Sequence, residues 1–146
     1  MYDTILLPTD GSEGTETTLE HAIEVAQHSD AVLRVLYVVN KRLAFATEKD
    51  RRPEVFAELE ATGETAVETA AASLEAAGCS VETEIRTGVP HREILDTVEA
   101  SNADLIVMGS HGRTGRERLQ SLGSVTEEVV EAATVPVLTV PIEDSS

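Results

Sequence analysis

The sequence predicts an α/β fold, a single-domain doubly wound sheet of five parallel strands with helices on both faces. Short apolar runs alternate strictly with segments of helical period, and that alternation is best met by parallel strands joined through right-handed crossovers. The 146 residues are the size of one domain, leaving no room for a second catalytic one. A hydrophobic fraction of 41% and a mean hydropathy of -0.09 describe a packed globular chain rather than an acidic disordered one.

Taken in order, the strand candidates are Thr4 to Leu7, Ala31 to Val39, Cys79 to Arg86, Asp104 to Met108 and Val135 to Val140, all rich in Val, Ile and Leu. The helices between them carry single apolar stripes. Leu19, Ala22, Ile23 and Ala26 mark the first, and Val67, Ala70, Ala71 and Leu74 the second. Ile94, Leu95 and Val98 mark the third, and Val125, Val129 and Ala132 the last. Pro53 and Pro90 suit first-turn positions, Gly78 a left-handed stop, and Ser124 with Glu127 a capping box. The unbroken runs Ile5 to Leu7 and Leu105 to Met108 read as central strands buried on both faces, whereas Cys79 to Arg86 alternates as an edge strand would. Asn40 to Pro53, with five of the eleven basic residues, reads as a mobile charged loop.

Charge narrows the partners. With 27 Asp plus Glu against 11 Lys plus Arg, the formal net charge is -16, which repels phosphodiester backbones, so nucleic acid is not an expected partner. Such self-repulsion is relieved by salt, which makes a salt-rich, halophilic cytoplasm a reasonable setting. No membrane partner is expected, because the early apolar run Ile5 to Leu7 is too short for a signal peptide or a span. A cytoplasmic location follows as an expectation. The single cysteine, Cys79, reads as a core residue, and no metal-ligand spacing is present.

In open α/β sheets ligands bind beyond the carboxyl ends of the strands. Two loops fall there: Pro8-Thr9-Asp10-Gly11-Ser12, and Gly109 to Arg116 leading to Gly123-Ser124. Glycines let backbone N–H groups approach a ligand, and a following helix N-terminus favours an anion. From Gly109 to Thr126 three arginines (Arg113, Arg116, Arg118) meet one carboxylate (Glu117), a local +2. Two readings stay open on these residues: an anion cradle, or turn glycines and a helix cap with arginines paired to nearby carboxylates. The spacing fits neither a Walker A loop nor a Gly-x-Gly-x-x-Gly fingerprint.

Ile5 to Ser12, Gly88-Val89-Pro90, Asp104 to Gly115, Gly123 to Glu127 and Val135-Pro136-Val137, in this order and across essentially the whole chain, closely resemble the universal stress protein family. The resemblance implies strand order 3-2-1-4-5, the adenine nucleotide alpha hydrolase-like fold, a homodimer joined along the C-terminal strand and, in one branch, an ATP site. There the motif is Gly-x-x-Gly, nine residues, then Gly-Ser/Thr; here ten residues separate Gly112 from Gly123. Carried over position by position, it implies Pro8, Thr9 and Asp10 flanking adenosine, the Val38 backbone at adenine, and Met108 and Gly109 near base and ribose. Gly112, Arg113, Gly123, Ser124, Val125 and Thr126 would hold the phosphates, with Mg2+ or Mn2+ bound through them. From the residues alone, Asp10 reads equally as a helix-start residue, and Val38 and Met108 as core.

The expected function is a stress-response, ATP-binding homodimer acting as a nucleotide-dependent switch. The alternative is a family member without nucleotide that serves as a dimeric interaction module, which the longer spacing and the extra arginines keep open. Asp10 and His111 are the only acid–base candidates in the two loops, with no triad or carboxylate pair, so weak hydrolysis is the most that is expected.

Overall fold

The computed structural model describes residues 2–11, 15–111 and 122–142. Its elements run β1 (Thr4–Pro8), α1 (Thr15–Ser29), β2 (Val32–Asn40), α2 (Lys41–Phe45), a 3-10 turn (Lys49–Arg51), α3 (Arg52–Ala76), β3 (Ser80–Gly88), α4 (Pro90–Ser101), β4 (Leu105–His111), α5 (Leu122–Ala132) and β5 (Val137–Ile142). The strands form one parallel sheet of order β3-β2-β1-β4-β5, as expected.

Strand alternation divides the core into two layers. Ile5, Leu7, Leu33, Val35, Leu105 and Val107 face α1 and α3, where Leu19, Ala22, Val67, Ala70 and Leu74 meet them. Leu6, Leu36, Ile106 and Met108 face α4 and α5, against Ile94, Val98 and Val129. Residues of β1 and β4 are buried on both faces, the pattern of central parallel strands.

The edge strand β3 solves a different problem. Val81 and Ile85 pack on the α1/α3 layer, while Glu82, Glu84 and Arg86 alternate onto the other face. Arg34 of β2 pairs with Glu82 at 3.1 Å and with Glu84 at 2.7 Å, and Arg86 pairs with Glu84 at 2.5 Å and with Glu93 of α4 at 3.5 Å. A charged row thus finishes the sheet, and charge on an edge also discourages strand addition.

Pro90 occupies the start of α4, Pro53 the first turn of α3, and Gly78 takes φ +88 just past α3, as the punctuation predicts. The stretch from Asn40 to Pro53 corrects an expectation. Instead of an irregular loop it folds as α2, a 3-10 turn and the start of α3. Asn40 Oδ1 accepts from the Arg42 N–H at 3.0 Å, Ala44 is fully buried, and Phe45 meets Phe56 edge-on at 6.0 Å. Arg52 stacks over the Phe45 ring at 4.9 Å. Local capping and one aromatic anchor outweigh the charge density.

Candidate functional site

The hydrogen-bond directions along β1 explain where a crevice opens. Asp104 N–H donates to the Thr4 carbonyl at 2.9 Å, so Thr4, Leu6 and Pro8 turn their peptide groups toward β4. Pro8 has no N–H to offer on that side, and the β1–β4 pairing stops at Leu6 with Ile106. On the other flanks pairing continues, to Pro8 with Leu36 and to His111 with Ile142. The strands therefore part between β1 and β4 at their carboxyl ends, where the chain order reverses and α/β sheets bind ligands.

Loop 1 leaves β1 on one wall of this crevice. Thr9 N–H donates to the Leu36 carbonyl at 2.8 Å, and Thr9 Oγ1 accepts from the Gly11 N–H at 3.1 Å, which folds the loop back on itself. Asp10 is exposed at its tip. α1 is described from Thr15, and residues 12–14, which join it to Asp10 and Gly11, lie outside the described residues. Since Leu36 directs its carbonyl at β1, Val38, two residues on, directs its peptide groups the same way. It does so beyond the last β1 partner, facing the space above loop 1. The Val38 side chain is half-buried against the α4/α5 layer.

The opposite wall is β4. Gly109, Ser110 and His111, expected to begin a loop, instead extend the strand, because β5 supplies backbone partners as far as Ile142. Gly109 is buried. Met108 is fully buried in the α4/α5 layer, so its side chain follows the core reading and only its backbone borders the crevice.

The first turn of α5 closes the arrangement. Gly123, Ser124, Val125 and Thr126 all lie within the helix, which begins at Leu122. Ser124 is thus inside the helix rather than at the N-cap position that the expected capping box requires. Unpaired N–H groups of a first turn are the natural donors for an anion. Thr126, 4% exposed, donates its hydroxyl to the Gly109 carbonyl at 3.1 Å. One contact therefore joins two sequence-predicted site residues and fixes helix to strand. Gly112, Arg113 and the ten-residue spacing lie outside the described residues.

Sequence reasoning missed Tyr37. Burial first, and then the Asp10 carboxylate, hold its phenol above its ordinary pKa. The ring lies against Gly63 in the middle of α3, where an added Cβ would sit 2.5 Å from Cδ1. A glycine inside a helical pattern was the available signal for such a close approach. Also missed was a close contact between His91 Nδ1 of α4 and the Glu128 carboxylate of α5 at 2.5 Å.

A hollow of about 560 Å³ lies on the other flank of loop 1, lined by Thr9, Gly11, Leu19, Thr65, Ala66 and Ala70 among others. Among the described residues it touches loop 1 but none of β4 or α5, and the one charged side chain on it is Glu16. Its chemistry does not suit a polyphosphate, so the β1–β4 crevice is the stronger site. Among the described residues no group of three His, Cys, Asp or Glu is placed to hold a metal, and no helix is long and apolar enough to cross a membrane.

The model of the universal stress protein family matches residues 1–141. Universal stress protein MJ0531 of Methanocaldococcus jannaschii is 38% identical over 141 residues, covering 96% of this chain and 82% of that protein. MJ0577 of the same organism is 33% identical over 162 residues, covering 99% and 98%. The solved structure of MJ0577 superposes with a TM-score of 0.83 at 34% identity, covering 99% of each chain. A universal stress protein in complex with cAMP superposes with a TM-score of 0.75 at 25% identity, covering 97% of this chain and 98% of that one.

Proposed function

This chain belongs to the universal stress protein family, and from that premise we propose that it binds ATP in the β1–β4 crevice and uses occupancy as a switch in a stress response. The observation that carries this reading is the crevice itself: two strands that part at Pro8 and Met108, with the N-terminal end of α5 tied to Gly109 beside them. A relative holding cAMP supports an adenine nucleotide as the ligand class.

In this reading the Val38 peptide edge meets adenine, Pro8, Thr9 and Asp10 flank the nucleoside, and Met108 and Gly109 border the ribose through their backbone. Gly123 and Ser124 present first-turn N–H groups to the phosphates, Val125 and Thr126 continue the helix behind them, and Gly112 and Arg113 join them. Mg2+ or Mn2+ travels with the triphosphate, which fits a site whose described residues supply peptide edges rather than a carboxylate cage. When bound, the cation neutralises phosphate charge; the protein's own residues orient the nucleotide. At most weak hydrolysis is expected. The 146 residues act in the cytoplasm as one domain, paired along β5 in a homodimer. Among the described residues β5 pairs only with β4, which leaves it an edge, and Leu138 on it is 37% exposed.

A ligand that binds only the native state stabilises it by RT ln(1 + [L]/Kd), about 2.7 kcal/mol at one hundred times Kd. Millimolar ATP-Mg is expected to raise the melting temperature by roughly 5–10 °C for a chain of this size. Gly123→Val is expected to abolish the shift while sedimentation still reports a dimer. No shift with wild-type protein, at low and at high salt, overturns the reading in favour of a nucleotide-free interaction module.

A further inference from the structure

We infer that His91 is a positioning residue for the phosphate-binding end of α5, acting through Glu128. The inference rests on the nucleotide reading above and adds to it a residue outside the crevice. An N-terminal turn grips an anion only if its N–H groups point at the place the anion occupies, so the axis and rotation of α5 decide how well the site works.

Apolar packing alone defines that pose poorly. Val125 and Val129 set α5 on the α4/α5 layer, but burial of this kind is non-directional and tolerates small rotations. Two polar ties supply direction. Thr126 bonds to the Gly109 carbonyl at 3.1 Å and anchors the helix to β4. Glu128 pairs with His91 Nδ1 at 2.5 Å and anchors it to α4. Positions two apart on a helix differ by about 200° around its axis, so the ties pull from nearly opposite flanks and oppose rotation in either sense.

The far end of the His91 tie is itself fixed. His91 sits in the first turn of α4, directly after Pro90. Two residues on, Glu93 accepts from Arg86 of β3 at 3.5 Å. The Glu93 side chain lies over Gly88, where an added Cβ would meet its carboxylate at 2.5 Å. The route from sheet edge to α5 therefore runs Glu84, Arg86, Glu93, then back two residues along α4 to His91 and across to Glu128.

The pair is partly exposed, with side-chain exposures of 22% for His91 and 47% for Glu128, so its effect is modest. The test is calorimetric titration of ATP-Mg and of adenosine into wild-type protein, His91→Ala, Glu128→Ala, the double variant and His91→Asn. Each alanine variant is expected to weaken ATP-Mg about two- to fivefold. The double variant should be no weaker than either single one. His91→Asn, which places an N–H donor where Nδ1 sits, should recover wild-type affinity. Adenosine, which lacks the phosphates that α5 would hold, should bind all variants equally. Glu131→Gln removes a charge from the same helix, at an exposed residue with no ion-pair partner among the described residues, and should change nothing.

Equal loss of ATP and adenosine, additive losses, or failure of asparagine to rescue would overturn the inference by showing general loosening of the fold. Unchanged ATP affinity in both alanine variants, with wild-type protein binding ATP, overturns this inference alone. Absence of binding by wild-type protein overturns both it and the nucleotide reading.

Discussion

The Thr126 hydroxyl donates to the Gly109 carbonyl at 3.1 Å across 17 residues of chain, in a buried setting. It is the direct polar link between the first turns of α5 and the end of β4. Thr126→Val keeps the shape and removes the donor, leaving a buried carbonyl short of a partner, which costs about 1–3 kcal/mol. Urea denaturation should report that loss, and Thr126→Ser, which keeps a hydroxyl, should lose less. A valine variant as stable as wild type would show the contact to be idle.

Gly63 lies mid-helix in α3, where alanine normally gains about 1 kcal/mol. Here the sign should reverse. An added Cβ would stand 2.5 Å from Cδ1, 2.9 Å from Cε1 and 3.0 Å from Cγ of Tyr37, a buried residue of β2. Overpacking of this kind costs about 1–3 kcal/mol, so Gly63→Ala should be net destabilising by about 1 kcal/mol. In a Tyr37→Leu background the same change should become neutral or stabilising. A melt showing Gly63→Ala above wild type in the native background contradicts this packing.

Tyr37 also predicts an alkaline response. Burial, and secondarily Asp10, raise its pKa in the folded state. The unfolded phenol therefore ionises first, from about pH 10 upward, and the folded state binds more protons across that window. Stability is then fully present below the unfolded pKa and falls as pH rises toward the folded one. Cys79, raised by burial as well, adds a similar slope from slightly lower pH, so the measurement is a difference. Tyr37→Phe should lose less stability than wild type between about pH 9 and about pH 11 in denaturant titrations. Parallel curves would show that the phenol is not held neutral.

The layering was legible because parallel strands buried on both faces need unbroken apolar runs, and Ile5 to Leu7 and Leu105 to Met108 are such runs. The Glu82, Glu84 and Arg86 alternation likewise marked an edge. Elements set by contacts distant in sequence were not legible. α2 depends on Ala44 burial and on Phe45 meeting Phe56, which charge density along residues 40–53 conceals. β4 runs on to His111 because β5 happens to reach Ile142, whereas its glycines argued for a turn. The site followed the same division. Pro8, Gly109 and Thr126 could be placed from the motif and the switch-point rule, but nothing local to His91 or Glu128 announces that they meet. Gly63 alone carried an unread signal, since a helix interior keeps glycine for a reason.

Salt should stabilise this protein, although it weakens ion pairs. The charged row built on Arg34 and Arg86 has four contacts, all partly exposed, and such pairs contribute about 0–1 kcal/mol each before screening. Opposing it is a formal net charge of -16, whose self-repulsion grows as the square of the charge and is felt most in the compact state. At about 1 M salt the Debye length falls to about 3 Å, which removes most long-range repulsion while touching pairs at 2.5 to 3.5 Å keep part of their attraction. The repulsive term therefore loses more than the pairs do. The melting temperature should rise with KCl, and the rise should be smaller in a variant with several exposed α3 glutamates changed to glutamine, such as Glu58, Glu64 and Glu68. A melting temperature that is flat or falling with KCl would mean that the ion-pair row, and not the net charge, governs the electrostatics of the fold.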